Sequence, residues 1–233
     1  MSNEPDLAFR AALAVAVITV AASALLYAYH RQQDCGSKAD DWRRSGQKVS
    51  PNCDVWYYPN FLTHAEADEL YNELDGCPGW KRQEKREVCS FSAQGRSYRY
   101  AGTVQTGDPV PTLLQNAADR IALSLKIRPS NFFLCNRYAD GRHMIGLHSD
   151  DTTDLEGPIF SLSLGAERHF DIKGKGERAG ERHQPTLAHG SLLVMSIESQ
   201  KVYRHGIRKQ PQVTSGRINV TCRSIREHAV TDR

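Results

Sequence analysis

The C-terminal stretch Gly216–Ile225 reads GRINVTCRSI. At the two-residue period of a strand, Ile218, Val220 and Cys222 share one face, and Arg217, Asn219, Thr221 and Arg223 share the other. Two readings are open. A half-exposed antiparallel strand would turn its polar face to water. Alternatively, that face lines a pocket in which two guanidinium groups hold an anion. The choice decides whether the surrounding β-structure is an ordinary sheet or encloses a site.

The chain ahead of this stretch changes texture after Pro129. Short β-rich runs follow one another between turn residues: NFFLCNRY (131–138), HMIGLHSD (143–150), IFSLSLG (159–165), RHFDIKG (168–174), GSLLVMS (190–196) and KVYRHGI (201–207). Many short strands with regular turns predict a sandwich or barrel. The longest break is the charged loop GKGERAGERHQ (174–184). Two helices precede the strands. Thr63 to Glu66 form a T-x-x-E capping box for a helix ending near Gly76. Pro111 opens another, with Leu114, Ala117, Ala118, Ile121 and Leu125 on one face. The fold class is therefore mainly β with flanking helices.

Composition bounds the partners. The 233 residues carry a net charge of +3, which permits a polyanion but does not demand one. The six cysteines contain no C-x-x-C pair and are too sparse for a disulfide scaffold. Ala11–Tyr29 is a run of 19 residues without a charge, eight of them alanine. Helical, it spans roughly 28 Å, close to a bilayer core. A transmembrane anchor over 10–30 is expected, behind an N-terminal tail (1–9); a cleaved signal peptide is the alternative. Positive charge follows the run at Arg31, Lys38, Arg43, Arg44 and Lys48, which places the rest of the chain on the cytosolic side. Residues 31–53 read as a polar linker, 54–227 as the folded domain with its core at 129–227, and 228–233 as a tail.

His148 and Asp150 stand two apart at a strand end, so both side chains leave one face. An imidazole and a carboxylate so placed make two thirds of the facial triad of non-haem iron(II) oxygenases. His205, in the run before the arginine strand, is the favoured third ligand, and His189 at a turn is the rival. Arg217 and Arg223 are roughly 20 Å apart along an extended strand, and their long side chains, leaning inward, approach both ends of a short dianion. An iron site beside a dicarboxylate slot is the layout that 2-oxoglutarate chemistry needs.

Taken in order, LCNRYADGRHMIGLHSDD, GPIFSLSLGAERHFDI, HGSLLVMS and RHGI…GRINVTCRSI resemble the AlkB family of iron(II)/2-oxoglutarate nucleic-acid demethylases, over about Trp80–Ile225. The resemblance implies a double-stranded β-helix, or jelly roll. It implies Fe(II) bound by His148, Asp150 and His205, and 2-oxoglutarate bound by Asn136, Tyr138, Arg217, Asn219 and Arg223, with O₂ as second co-substrate. REVCSFSAQGRSYRYAG (86–102) resembles the family's nucleotide-recognition lid, which would stack Tyr100 on a flipped or single-stranded base. Asp151 and Arg168 would also face substrate. The implied activity is oxidative demethylation of N-alkylated bases in DNA or RNA, with formaldehyde and succinate released, by a membrane-held monomer. Lys81–Arg86 (KRQEKR) and the loop cations Lys175, Arg178 and Arg182 are candidate phosphate contacts. Two other classes remain open: a membrane-anchored hydroxylase acting on a protein or small molecule, and a tethered module without catalysis.

Overall fold

The computed structural model describes residues 42–93, 97–100 and 103–226, without the side chains of 42, 44, 97–100 and 103–106. The expected anchor at 10–30 and the tail at 228–233 lie outside these residues. Among the described residues, no helix is long and apolar enough to cross a membrane.

Folded structure begins earlier than residue 54. A short helix α1 (Trp42–Ser45) leads into β1 (Gln47–Ser50), which pairs antiparallel with β2 (Cys53–Tyr58). Arg43 donates from Nε and Nη2 to the two carboxylate oxygens of Asp54, at 3.1 and 2.8 Å. The linker expected over 31–53 thus gives way to structure by residue 42. A two-pronged ion pair and a β-pairing hold this polar segment, and neither leaves a hydrophobic period in the sequence.

The expected helices form. In α2 (His64–Asp75), Thr63 Oγ1 accepts from Glu66 N while Glu66 Oε2 accepts from Thr63 N, the reciprocal cap the sequence announced. The strands β3 (Lys81–Gln83) and β4 (Arg86–Ser92) follow, then the hairpin β5 (Ser97–Tyr100) and β6 (Thr103–Thr106), then α3 (Thr112–Leu125). All five apolar residues expected on one face of α3 are buried. The rest of the chain is β7 (Phe132–Tyr138), β8 (Ile145–His148), β9 (Ile159–Gly165), β10 (Arg168–His169), β11 (Asp171–Gly174), β12 (Arg182–His183), β13 (Thr186–Leu187), β14 (Ser191–Met195), helix α4 (Ile197–Val202), β15 (Tyr203–Ile207) and β16 (Arg217–Arg223). Ser196 caps α4 by accepting from Ser199 N; this turn of helix occupies part of the span read as a strand from Lys201.

Two antiparallel sheets stack. The larger runs β1-β2-β14-β9-β16-β7-β4-β3, and the smaller runs β12-β11-β15-β8. Strand periodicity sorts the core into two layers. Phe133 and Cys135 of β7, Phe160 and Leu162 of β9, Leu192 and Val194 of β14, and Ile218 and Val220 of β16 pack outward against α2 and α3. Their alternates Phe132, Leu134, Ile159, Leu193 and Met195 pack inward against Ile172, Tyr203 and Ile207 of the smaller sheet. A sheet covered on both faces, closed over by a second sheet, is the jelly-roll arrangement. All seven residues of β16 are buried, so its polar face meets the interior rather than water.

Candidate active site

The inward polar faces of β7, β9 and β16 meet the inner face of β8 and β15 in one pocket. The three candidate ligands converge there. His148 and His205 are directly paired across β8 and β15, with ring centroids 4.4 Å apart. Gly206 lets the two strands approach this closely: a Cβ there would lie 2.8 Å from the Ile145 carbonyl oxygen. One ligand atom from each of His148, Asp150 and His205 lies within 4.8 Å of the others. Among the described residues this is the only group of its kind. His189, the rival, is engaged elsewhere: its Nδ1 accepts from Gly165 N, and its Nε2 faces His64 O and Asp68.

The donor set suits a divalent transition metal. His148 Nδ1 lies 2.9 Å from the Gly146 carbonyl, an acceptor, so that nitrogen carries the hydrogen and Nε2 keeps its lone pair. Burial lowers the His205 pKa to about 4, against the opposing pull of Asp150, so its imidazole is neutral and able to ligate at neutral pH. Burial alone would raise the Asp150 carboxyl, but Arg223, His205 and His148 together outweigh it and hold the pKa below its ordinary value. The Asp150 amide donates to Gln200 Oε1 at 3.1 Å. Lys175 Nζ then donates to the Gln200 carbonyl and to Ser149 Oγ, at 2.7 and 3.0 Å. Sequence reasoning did not find Gln200, and it offered Lys175 to phosphate. The structure spends both on fixing the H-x-D turn.

The arginine strand divides its work. Arg217 is 2 % exposed, and its guanidinium lies 5.4 Å from the Tyr138 ring centroid. Its Nη2 donates to Ser163 Oγ at 3.0 Å, while Nε and Nη1 have no hydrogen-bond partner. Burial pulls its pKa down to about 10, so it is still a cation at neutral pH. Two unspent donors on a buried guanidinium leave it open to an anion on either edge of its plane. Asn136 Oδ1 accepts from Arg86 Nε at 2.7 Å, which leaves its amide hydrogens for the pocket. Asn219 differs. Its amide donates to Ser161 Oγ and the Leu162 carbonyl, so it fastens β16 to β9. Ser161 and Ser163 were missed, although their alternation in IFSLSLG places them opposite the polar face of β16.

Of the expected substrate contacts, Arg168 is corrected. Arg168 is 1 % exposed and donates to Gln210 Oε1 and to the carbonyls of Asp140, His143 and Arg208. It ties the β7–β8 and β15–β16 loops together behind Tyr138 and does not line the pocket. Asp151 is exposed and accepts from Thr153 N and Oγ1, a local turn outside the pocket. Tyr100 stands in β5 opposite Thr103, and its side chain lies outside the described residues.

The family model described as the 2OG-Fe(II) oxygenase superfamily matches residues 54–223. The chain belongs to that superfamily. Within it the protein is AlkB-like. It is 31% identical over 210 residues to the DNA oxidative demethylase ALKBH2 of Mus musculus, covering 81% of this chain and 85% of that protein. It is also 31% identical over 190 residues to the alpha-ketoglutarate-dependent dioxygenase alkB homolog 3 of Mus musculus, covering 73% and 66%. The solved structure of OsALKBH1 shares the fold, with a TM-score of 0.56 at 17% identity over 75% of this chain and all of that one. Members of the superfamily use Fe(II) and 2-oxoglutarate with O₂, and this AlkB-like oxygenase is a 2-oxoglutarate-dependent dioxygenase.

Proposed function

We propose that this dioxygenase removes N-alkyl groups oxidatively from nucleic-acid bases. One observation carries the reading: the His148–Asp150–His205 cluster shares its pocket with the half-satisfied Arg217, in a chain 31% identical to a DNA oxidative demethylase.

In this reading the metal sits among His148, Asp150 and His205, and 2-oxoglutarate beside it. Bound Fe(II), with 2-oxoglutarate and O₂, supplies one oxygen atom to the N-methyl carbon and the other to succinate, with loss of CO₂. The protein's own groups set the geometry. Arg217 holds the far carboxylate with a donor that the protein leaves unspent, while Ser163 fixes Nη2. Tyr138 and Asn136 line the same slot. Arg223 occupies one oxygen of Asp150 and so turns the other toward the metal. Leu134, Phe170, Met195 and Ile207 form apolar walls that keep water from the reacting carbon. The hydroxymethylated base then sheds formaldehyde and retains the hydrogen on nitrogen. The lid hairpin β5–β6 with Tyr100 presents the base, single-stranded or flipped.

The uncharged run Ala11–Tyr29 supports a membrane anchor, with the catalytic domain on the cytosolic side as a monomer. Extraction of the expressed chain by alkaline carbonate would refute the anchor.

The deciding experiment presents a panel of methylated oligonucleotides with and without Fe(II) and 2-oxoglutarate, and reads bases and formaldehyde. Demethylation that disappears in His148→Ala is the expected result. Succinate formation indifferent to every oligonucleotide would overturn this reading and favour a protein or small-molecule substrate.

A further inference from the structure

The outer face of the smaller sheet carries charge that the active site does not use. Lys173 on β11 is directly paired with Arg182 on β12 and with Arg204 on β15. Directly paired antiparallel residues leave the same face. The adjacent rung, Ile172 with His205, points inward to the core and the metal cluster. Lys173, Arg182 and Arg204 therefore form a row of three cations on the outside. Like charges in direct opposition repel, which destabilises the sheet. Among the described residues none of the three has a hydrogen bond or ion pair to offset this.

The row borders a groove of about 450 Å³. Lys173, Arg182, Arg208 and Gln184 stand around it, and the bare backbones of Gly146 and Gly206 floor it. Leu147, 37% exposed, supplies an apolar surface. Its one acid, Asp171, is already engaged, accepting from Gln184 Nε2 and lying 3.5 Å from Arg208 Nε. The groove is net positive, a lining suited to a multiply charged anion.

We propose that this face binds the sugar-phosphate strand flanking the base delivered to the metal site, an inference that rests on the demethylase reading. Strands stand about 4.8 Å apart, so three cations in a row cover about 10 Å. A nucleic-acid strand carries one charge per about 3.4 Å of axis, so the row matches about three consecutive phosphates. Position agrees with charge: on β15, Gly206 lines the groove while its neighbour His205 lines the metal pocket, and Arg204 extends the cationic row beside the groove. Of the loop cations the sequence nominated, only Arg182 belongs to this surface. Lys175 braces the active-site turn, and Arg178 pairs with Glu181.

The test measures binding of a fluorescein-labelled 15-nucleotide single strand by the full chain across a salt series, against Lys173→Gln/Arg182→Gln/Arg204→Gln. Each lost phosphate contact on a single strand removes about 0.7 from the salt slope, so the triple variant's slope becomes shallower by about 2, and its affinity at 0.1 M salt falls about tenfold or more. Its melting temperature does not fall, since the substitutions relieve repulsion. An unchanged slope in a protein that still demethylates oligonucleotides overturns the groove and leaves the demethylase reading standing. Binding to vesicles of phosphatidylserine and phosphatidylcholine that needs the three cations, with no binding of the oligonucleotide, overturns the polynucleotide and assigns the face to a membrane surface.

Discussion

Arg223 Nη2 donates to Asp150 Oδ1 at 3.0 Å, joining the arginine strand to the metal cluster across 73 residues of chain. Both side chains are nearly inaccessible, at 1% and 3% exposure. The second oxygen of the same carboxylate lies 3.8 Å from His205 Nε2. One guanidinium thereby orients a carboxylate for a metal and balances its charge in a dry site.

Removing that guanidinium has two consequences. In Arg223→Gln, Asp150 is left as a buried charge without its strongest partner, and breaking such a pair costs about 3–5 kcal/mol. The carboxylate also loses its orientation, and loss of such an outer partner weakens metal binding about 10–100-fold. Titration with Mn(II) and thermal melting measure the two effects separately. Unaltered Mn(II) affinity would show that Arg223 does not orient the ligand.

Arg217 predicts the opposite pairing of stability and function. Its buried charge faces only the hydroxyls of Ser163 and Tyr138, with two N–H groups unsatisfied, an arrangement that costs folding energy. Arg217→Met is expected to melt at or above the wild-type temperature in the absence of ligand. The same variant loses about 2–5 kcal/mol of 2-oxoglutarate binding, the cost of removing one partner of a buried charge pair. Saturating 2-oxoglutarate with Mn(II) therefore raises the melting point of the wild type and leaves the variant near its unliganded value. A variant that is strongly destabilised without ligand would contradict this account.

How far the sequence reaches depends on whether a contact is periodic. Alternation in GRINVTCRSI placed Arg217, Asn219, Thr221 and Arg223 on one face, and all four line the pocket. Spacing in the second helix named its buried face, and the T-x-x-E box fixed where the first begins. His205 was expected from a strand lying beside the arginine strand; β15 instead pairs with β8 in the smaller sheet and brings His205 to the cluster from there. Legibility fails where a long polar side chain chooses among partners far away in sequence. Arg168 looked like a substrate-facing arginine and Lys175 like a phosphate contact, yet the first is consumed by loop carbonyls and the second by Gln200 and Ser149. Arg43 pairs with Asp54 through no pattern at all. The polar face of β16 also concealed a division, since Asn219 spends its amide on Ser161 and Leu162 while Arg217 keeps two donors free.

Gln200 tests whether the H-x-D turn is held from behind. Its Oε1 accepts the Asp150 amide, and Lys175 braces its carbonyl. Gln200→Leu leaves the buried Asp150 N–H unsatisfied, a cost of about 1–3 kcal/mol. As a positioning residue, Gln200 is expected to change Mn(II) affinity by about tenfold, and Gln200→Glu, which keeps an oxygen acceptor, restores most of it. If the leucine variant melts lower but binds Mn(II) like the wild type, the contact is structural alone.

The Arg43–Asp54 pair makes a prediction about acid. The Arg43 guanidinium, against a smaller opposing effect of burial and with help from Ser196 and Trp56, lowers the Asp54 pKa to about 2. In the unfolded chain the carboxyl titrates near 3.9. A carboxyl with a depressed folded-state pKa stabilises the fold above its unfolded pKa, and the contribution disappears as pH falls through the folded one. The window is therefore about pH 4 down to pH 2. Both side chains are about one-third exposed, so solvent screening limits the pair to about 1 kcal/mol or less. Arg43→Gln should melt slightly below the wild type at pH 7, and the difference should close as pH falls from 4 to 2. Neither residue lines the metal pocket, so the comparison isolates how α1 and β1 are fastened to the domain. A difference that stays constant across that window would mean that α1 is held by packing, with the ion pair contributing nothing measurable.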